Sequence, residues 1–151
     1  MQGQRKKKRS FIRHHSLTIV SGGILATWIF LYSFSSPTTH LGSFFGNAIA
    51  DWTGLVVMAL ATKYLYEKGS AESRRPKPGL RGPFREALYE HSLTIFLLIT
   101  GIAWAVLFKK MDSESKWGQV VGNIVSEWTQ ILGLVLLTKK LYESHSKESA
   151  R

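Results

Sequence analysis

The sequence of 151 residues contains no cysteine. A disulfide-bonded scaffold, a thiolate metal site and a cysteine nucleophile are therefore excluded. Acidic residues are also few, with 10 Asp and Glu against 20 Lys and Arg, so the formal net charge is +10. A basic excess of this size is one signature of nucleic-acid binding, and the distribution of the charges decides whether that interpretation applies.

Charge is missing from two long stretches of the chain. Residues 16–50 and residues 92–108 contain no Lys, Arg, Asp or Glu. Within the first stretch, residues 17–34 are apolar around the whole helix and would extend about 27 Å, close to the ~30 Å hydrocarbon thickness of a bilayer. A helix on the surface of a soluble bundle needs a polar face instead. Both stretches therefore indicate transmembrane helices.

Two further apolar stretches each contain a single acid, Asp51 in one and Glu127 in the other. A soluble bundle of four buried helices is the alternative, but a domain of this size has too little interior to bury them. The chain is therefore predicted to be an all-α, polytopic membrane protein. Its four transmembrane helices are predicted at about residues 17–34, 44–66, 93–109 and 119–142.

The basic residues lie on one side of this arrangement. Of the 20, only Lys109, Lys110 and Lys116 fall outside the two terminal segments, the central loop and the helix ends next to them. Because excess Lys and Arg marks the cytoplasmic side, both termini and the central loop are predicted to face the cytoplasm. Nucleic acid is not expected as a partner. Anionic lipid headgroups or a protein partner are expected at the basic residues of the tail and the loop, namely Arg5, Lys6, Lys7, Lys8, Arg9, Arg74, Arg75 and Lys77.

The chain also repeats itself. Residues 15–73 align without a gap with residues 91–149, at a constant offset of 76, and 21 of the 59 positions are identical. This predicts two repeats, preceded by a basic tail at 1–14 and joined by a linker at 74–90. Since two crossings return the chain to its starting side, the halves are expected to share one orientation about a pseudo-twofold axis along the membrane normal.

A line of polar residues follows one face of the second and fourth predicted helices. An acid deep in a membrane normally faces the bundle interior or water, so the line predicts a proton or monovalent-cation site. Two alternatives are that these side chains only bond the helices together, or that the helices begin later and the acids lie near the membrane surface. The residues are Asn47, Asp51 and Thr62 in the second helix and Asn123, Glu127, Gln130 and Thr138 in the fourth.

Motifs of known catalytic chemistry are missing. The chain has no G-x-G-x-x-G, Walker, H-E-x-x-H or G-x-S-x-G pattern. No spacing of His and carboxylate residues supplies a full set of metal ligands. Catalytic residues, a metal and a cofactor are therefore not expected, and neither is enzyme activity.

Three segments resemble a family of small bacterial inner-membrane proteins that has no assigned activity. They are FIRHHSLTIV at 11–20, LYEKGSAESRRP at 65–76 and GNIVSEWTQ at 122–130. The family has tandem two-helix halves and the motifs N-x-x-S-E-[FW]-x-Q and G-S-x-E-S-[KR]. The resemblance implies this architecture and a bacterial inner membrane. The first half departs from it, with Asp51 preceded by Ala50 and Gly54 where the family has Gln.

Two functions are compatible with these patterns. The first is a non-catalytic accessory or interaction protein with a basic cytoplasmic face, whose partner is another protein or a second copy of the chain. The alternative is a small proton or monovalent-cation pathway that uses Asp51 and Glu127.

Overall fold

The computed structural model of the protein describes residues 14–73 and 82–141. Those residues form five helices and no strand. Four of the helices are long and apolar enough to cross a membrane, which confirms the predicted fold class of an all-α, multi-pass membrane protein. The helices are α1 (Ser16–Phe34), α2 (His40–Tyr64), α3 (Pro83–Glu90), α4 (Ser92–Lys110) and α5 (Lys116–Leu137).

Helices α2 and α5 begin earlier than the predicted positions 44 and 119. The hydroxyl of Thr39 accepts a hydrogen bond from the amide of Gly42, and the hydroxyl of Ser115 does the same for Gly118. Such N-caps satisfy amides of the first turn that have no partner within the helix. Each helix thus begins with a turn that includes polar residues, which the apolar pattern alone did not detect.

The helices also end earlier than the predicted positions 66 and 142. Helix α2 ends at Tyr64 because the backbone becomes extended at Leu65, with φ −104° and ψ 151°. Helix α5 ends at Leu137. The predicted linker at 74–90 contains helix α3, which begins at Pro83, where the first turn of a helix tolerates proline.

Three helix pairs build the bundle: α1 with α2, α4 with α5, and α2 with α5. The first two pairs are antiparallel hairpins, and α2 and α5 join the hairpins. Contacts between α2 and α5 advance in one direction along both helices, from Asn47 with Asn123 to Gly54 with Glu127, so these helices run parallel. We call the end where α1 and α4 begin the linker end, and the opposite end the turn end.

The two hairpins pack in the same way at positions related by the offset of 76. Gly46 lies against the ring of Tyr32, and Gly122 lies against the ring of Phe108. An added Cβ would lie 3.3 Å from the first ring and 2.9 Å from the second. The absence of a side chain therefore allows close helix packing in both hairpins.

The interior of the bundle is apolar and so is most of its outer surface. Leu93, Leu97 and Val135 are completely buried between helices, whereas Phe30 and Ile102 are more than 60% exposed on the outside. A surface of this kind suits a lipid environment, in which apolar side chains need no polar cover. The few polar groups within the spans are therefore the informative ones.

Candidate functional site

The first polar contact within the spans joins the two halves of the molecule. The amide Nδ2 of Asn123 donates a hydrogen bond of 2.6 Å to Oδ1 of Asn47. These two residues are related by the offset of 76, so the equivalent positions of the repeat meet directly at the seam between α2 and α5. We call Asn47, Asp51, Asn123 and Glu127 the polar stripe.

The two acids of the polar stripe lie on this seam. Asp51 is exposed on the outer surface of the bundle, and Glu127 is half-buried beside Gly54. A Cβ on Gly54 would lie only 2.8 Å from Cγ of Glu127, so the glycine makes room for that side chain. The two carboxyl groups are close enough to interact electrostatically. Neither has a hydrogen bond or ion pair with another described residue.

Both acids lie well inside their helices. Asp51 lies eleven residues after the start of α2, and Glu127 lies eleven residues after the start of α5. At 1.5 Å per residue this is about 16 Å, near the middle of a span. Because each helix begins earlier than predicted, each acid lies further from the start of its helix than the predicted bounds implied.

Among the described residues, the acids take no part in hydrogen bonds between the helices. The indole Nε1 of Trp128, a residue next to Glu127, donates to Oγ1 of Thr100 on α4 at 2.9 Å. The hydrogen bond between the helices of the seam comes from the asparagine pair instead. Of the polar stripe, the two amides therefore hold the helices together, and the two acids have no such role among the described residues.

The other three polar residues of the predicted cluster lie apart from it. Gln130 is exposed and makes no hydrogen bond to another described residue. Thr62 donates to the carbonyl of Met58 in its own helix at 2.7 Å. Thr138 is buried at the linker end, where its hydroxyl lies 3.0 Å from the hydroxyl of Ser70. The predicted cluster therefore divides into the polar stripe and these separate residues.

The predicted lipid or partner contacts all lie outside the described residues, in the N-terminal tail or in the segment 74–81. They are Arg5, Lys6, Lys7, Lys8, Arg9, Arg74, Arg75 and Lys77.

A second carboxylate site, which the sequence analysis did not identify, lies at the linker end. The side chain of Glu67, three residues after α2, is completely buried. Its Oε1 accepts a hydrogen bond of 2.5 Å from Nζ of Lys139 and lies 2.7 Å from Nδ1 of His91. Its Oε2 accepts one of 3.2 Å from the backbone amide of Thr94, in the first turn of α4. We call these four residues the Glu67 cluster.

The surroundings of Glu67 favour its charged form. Burial by itself raises the pKa of this carboxyl group, but the hydrogen bonds from Lys139, Thr94 and His91 more than offset it. The net effect lowers the pKa below its ordinary value of 4.5. Glu67 is therefore a carboxylate at neutral pH, and it joins the end of the first half to residues at the linker ends of α4 and α5.

The segment that carries Glu67 is itself fixed by short-range bonds. Gly69 has a φ of +82°, a conformation that glycine adopts without strain. The hydroxyl of Ser73 accepts a hydrogen bond of 2.9 Å from the amide of Glu67. Together with the contact of Ser70, these bonds give a structural role to the glycine and both serines of the G-S-x-E-S motif. One sequence signal pointed here: Glu67 and its partners His91 and Lys139 are ionisable residues that are identical in both repeats.

Within residues 14–73 and 82–141, no three His, Asp or Glu side chains are arranged to hold a metal ion. Comparison of the chain with known protein families, with curated proteins and with solved structures finds no match. The functional argument therefore depends on the geometry of the polar stripe and of the Glu67 cluster.

Proposed function

We propose that the protein is a non-catalytic accessory protein that binds another membrane protein, or a second copy of itself, through the polar stripe. One observation supports this most directly: Asp51 is exposed on the outer surface of the bundle, midway along a helix able to span a membrane. Placing an ionised carboxylate against lipid tails costs at least about 2.5 kcal/mol. A protein that covers the polar stripe would remove this cost.

The same proposal places the linker end at the cytoplasmic face of a bacterial inner membrane. Its support is the basic excess of the tail, the central loop and the C-terminal segment, together with the family resemblance. In this orientation the basic residues of the tail and loop bind anionic lipid headgroups, each contributing about 1 kcal/mol. Lipid binding at this face and protein binding at the polar stripe are then independent activities.

Photo-crosslinking in cells tests whether protein covers the polar stripe. A photoreactive amino acid in place of Leu55, which is exposed beside Asp51, is expected to yield a protein adduct of one defined mass. The adduct should disappear when Asp51 is replaced by Leu. The same probe in place of Ile99, which is exposed on α4 away from the seam, serves as the matched control and should react with lipid only. Lipid adducts alone at both positions would refute the proposal.

A second candidate function is a proton or monovalent-cation pathway through the polar stripe. It is favoured by a separate observation: Asp51 and Glu127 interact electrostatically, and no described residue pairs with either. In a poorly hydrated site, two interacting carboxyl groups disfavour the state in which both are charged, which favours the uptake of a proton or a cation. A covering partner would then also line the pathway.

Flux into proteoliposomes distinguishes this candidate. Wild-type protein should carry a proton or monovalent-cation flux that the double substitution Asp51→Asn with Glu127→Gln abolishes. Asp112→Asn with Glu114→Gln removes two acids from the turn between α4 and α5 and is the matched control. Equal flux from the wild type and the polar-stripe variant, or no flux at all, would rule the pathway out.

A further inference from the structure

The four apolar spans contain no basic residue at the depth of the polar stripe. Every Lys and Arg in them lies within two residues of a helix end, namely Lys63 in α2, Lys109 and Lys110 in α4, and Lys116 in α5. Lys63, on the same helix as Asp51, comes twelve residues later, about 18 Å along the helix axis. The spans themselves therefore offer no cation that could pair with Asp51.

A second copy of the chain would not supply this cation either. A copy inserted in the same orientation has its Lys and Arg residues at the same depths, near the two ends of the spans. If two copies packed with their polar stripes in contact, they would bring four acids together, Asp51 and Glu127 from each. Like charges repel each other strongly where water is scarce, because the local dielectric constant is low. The charge of the polar stripe therefore favours a different protein as the partner.

The surroundings of Asp51 also limit which kind of segment can cover it. A purely apolar cover would replace lipid by protein and leave the carboxylate unpaired, which is strongly unfavourable for a charge away from water. In the hydrocarbon region of a membrane, a segment that reaches the seam satisfies its own backbone hydrogen bonds as an α-helix. A transmembrane helix with a hydrogen-bond donor at the depth of Asp51 therefore fits this surface.

Most of the polar atoms that the stripe offers to a partner are acceptors. Asp51 offers a carboxylate, and Glu127 offers a second one that is close enough to interact with the first. The bond to Asn47 uses Nδ2 of Asn123, and Oδ1 of Asn123 makes no hydrogen bond to another described residue. Lys has three N–H donors and Arg has five, and both carboxylates would attract either side chain. A neutral donor such as an amide would leave the negative charge uncompensated.

We propose that the partner at the polar stripe is a different membrane protein with a Lys or Arg near the middle of one transmembrane helix, and that this cation pairs with Asp51. The inference rests on the proposed function and narrows it to one kind of partner. Each of the two proteins then has a charge in the middle of the membrane that is unfavourable when it faces lipid. Pairing removes both unfavourable contacts, so the two charges also select the partner.

Model peptides in phosphatidylcholine vesicles test the requirement for a cation. Because the chain has no cysteine, Thr38→Cys in the turn between α1 and α2 provides a single position for a donor fluorophore. The peptides are helices of about 20 Leu and Ala residues, long enough to span a bilayer, with an acceptor fluorophore and with Lys, Asn or Leu at the centre. Energy transfer should show that the Lys peptide binds at least about tenfold more tightly than the other two. Equal binding of the Asn and Lys peptides would overturn the proposal, because a neutral donor would then be sufficient.

Charge variants of Asp51 test whether the peptide binds at the polar stripe. Asp51→Asn should weaken the binding of the Lys peptide at least about tenfold. Asp112→Asn, which removes an acid from the turn between α4 and α5, is the matched control and should leave the binding unchanged. Asp51→Lys should lose the Lys peptide and instead bind a peptide with a central Glu, a gain that also shows the variant to be folded. Binding of the Lys peptide that is insensitive to Asp51→Asn would overturn the proposal.

Photo-crosslinking from position 55 in cells separates this inference from the proposed function. We expect the adduct to contain a different protein, whose crosslinked helix has a Lys or Arg near the middle of the span. An adduct with a second copy of the chain, or with a helix that has no basic residue there, would overturn the inference and leave the proposed function intact. Lipid adducts alone would refute the proposed function and this inference with it.

Discussion

The protein contains two kinds of carboxylate site, and they differ in whether one chain completes them. Glu67 has no exposed side-chain surface, yet its oxygens bind Lys139, His91 and a backbone amide. Asp51 is exposed and has no bonded partner among the described residues. In water an exposed acid costs little free energy, but against the lipid of a membrane it is costly. The Glu67 cluster therefore stabilises the fold, and the polar stripe is open to a ligand or partner.

The two sites should differ most in how much stability the protein loses when the charge of the acid is removed. Glu67→Gln should lower the free energy of unfolding by about 2 kcal/mol, because it removes the buried charge that accepts the hydrogen bonds of Lys139 and Thr94. Asp51→Asn should leave the stability of the isolated chain unchanged or raise it. Unfolding in mixed micelles with increasing dodecyl sulfate measures both.

Glu90→Gln is the control for Glu67, since it breaks the surface ion pair between Lys68 and Glu90. Exposed pairs contribute little, so its effect should be clearly smaller than that of Glu67→Gln. Equal losses in these two variants would show that burial does not distinguish the Glu67 cluster.

Acid should weaken the Glu67 cluster, because the carboxylate of Glu67 becomes protonated. The folded-state pKa of Glu67 is lowered below 4.5, so its contribution is fully present above the unfolded-state pKa. That contribution is lost as the pH falls from about 4.5 through the folded-state pKa. The stability of the wild type should therefore fall more steeply below about pH 4.5 than that of Glu67→Gln. Parallel pH profiles of the two proteins would contradict the assignment of Glu67 as the titrating group.

Because α2 and α5 approach closely at the polar stripe, a side chain added at Gly54 should lower the stability, by less than Glu67→Gln does. In Gly54→Ala the added Cβ would lie 2.8 Å from Cγ of Glu127 and 2.9 Å from Cδ1 of Ile131, so the seam must widen. We expect a loss of about 1–2 kcal/mol in the same unfolding assay. Gly133→Ala on α5, where no atom lies within 4 Å of the added group, is the matched control and should be neutral or slightly stabilising. Similar losses in both variants would indicate a general intolerance of helix glycines.

The smallest effect is expected for the asparagine pair. Asn47→Ala removes one hydrogen bond between helices, which in membrane proteins contributes about 0.6 kcal/mol. Asn123→Ala should cost a similar amount, and the double variant should cost little more than either single one. If the two effects add fully, the side chains act independently and the bond does not hold the seam.

Parts of this fold follow directly from the sequence. The uncharged stretches predicted four apolar helices because a spanning helix must present apolar side chains to lipid on most of its surface. The helix starts were harder to predict, because Thr39 and Ser115 cap the helices through hydrogen bonds that the pattern of polar and apolar residues does not show. Helix α3 was also missed, because only apolar stretches long enough to span a membrane were predicted as helices and residues 74–90 were assigned to a linker.

The sequence predicted some features of the candidate sites and not others. Asn47, Asp51, Asn123 and Glu127 were predicted to share one face, because the angular period of a helix relates residues close in sequence. That the two faces meet at one seam depends on how α2 packs on α5. The bonds of Thr138 to Ser70 and of Lys139 to Glu67 link residues about 70 positions apart, beyond the reach of any local pattern.

The sequence by itself determined the all-helical membrane architecture, the offset of 76 and the presence of two acids within the spans. Each of these depends on composition or on spacing along one helix. The tertiary structure alone decided that Asp51 lies on the outside, that Asn47 bonds to Asn123, and that Glu67 is the completed carboxylate site. Burial and pairing are properties of the space between helices, and the packing of one hairpin on the other creates that space.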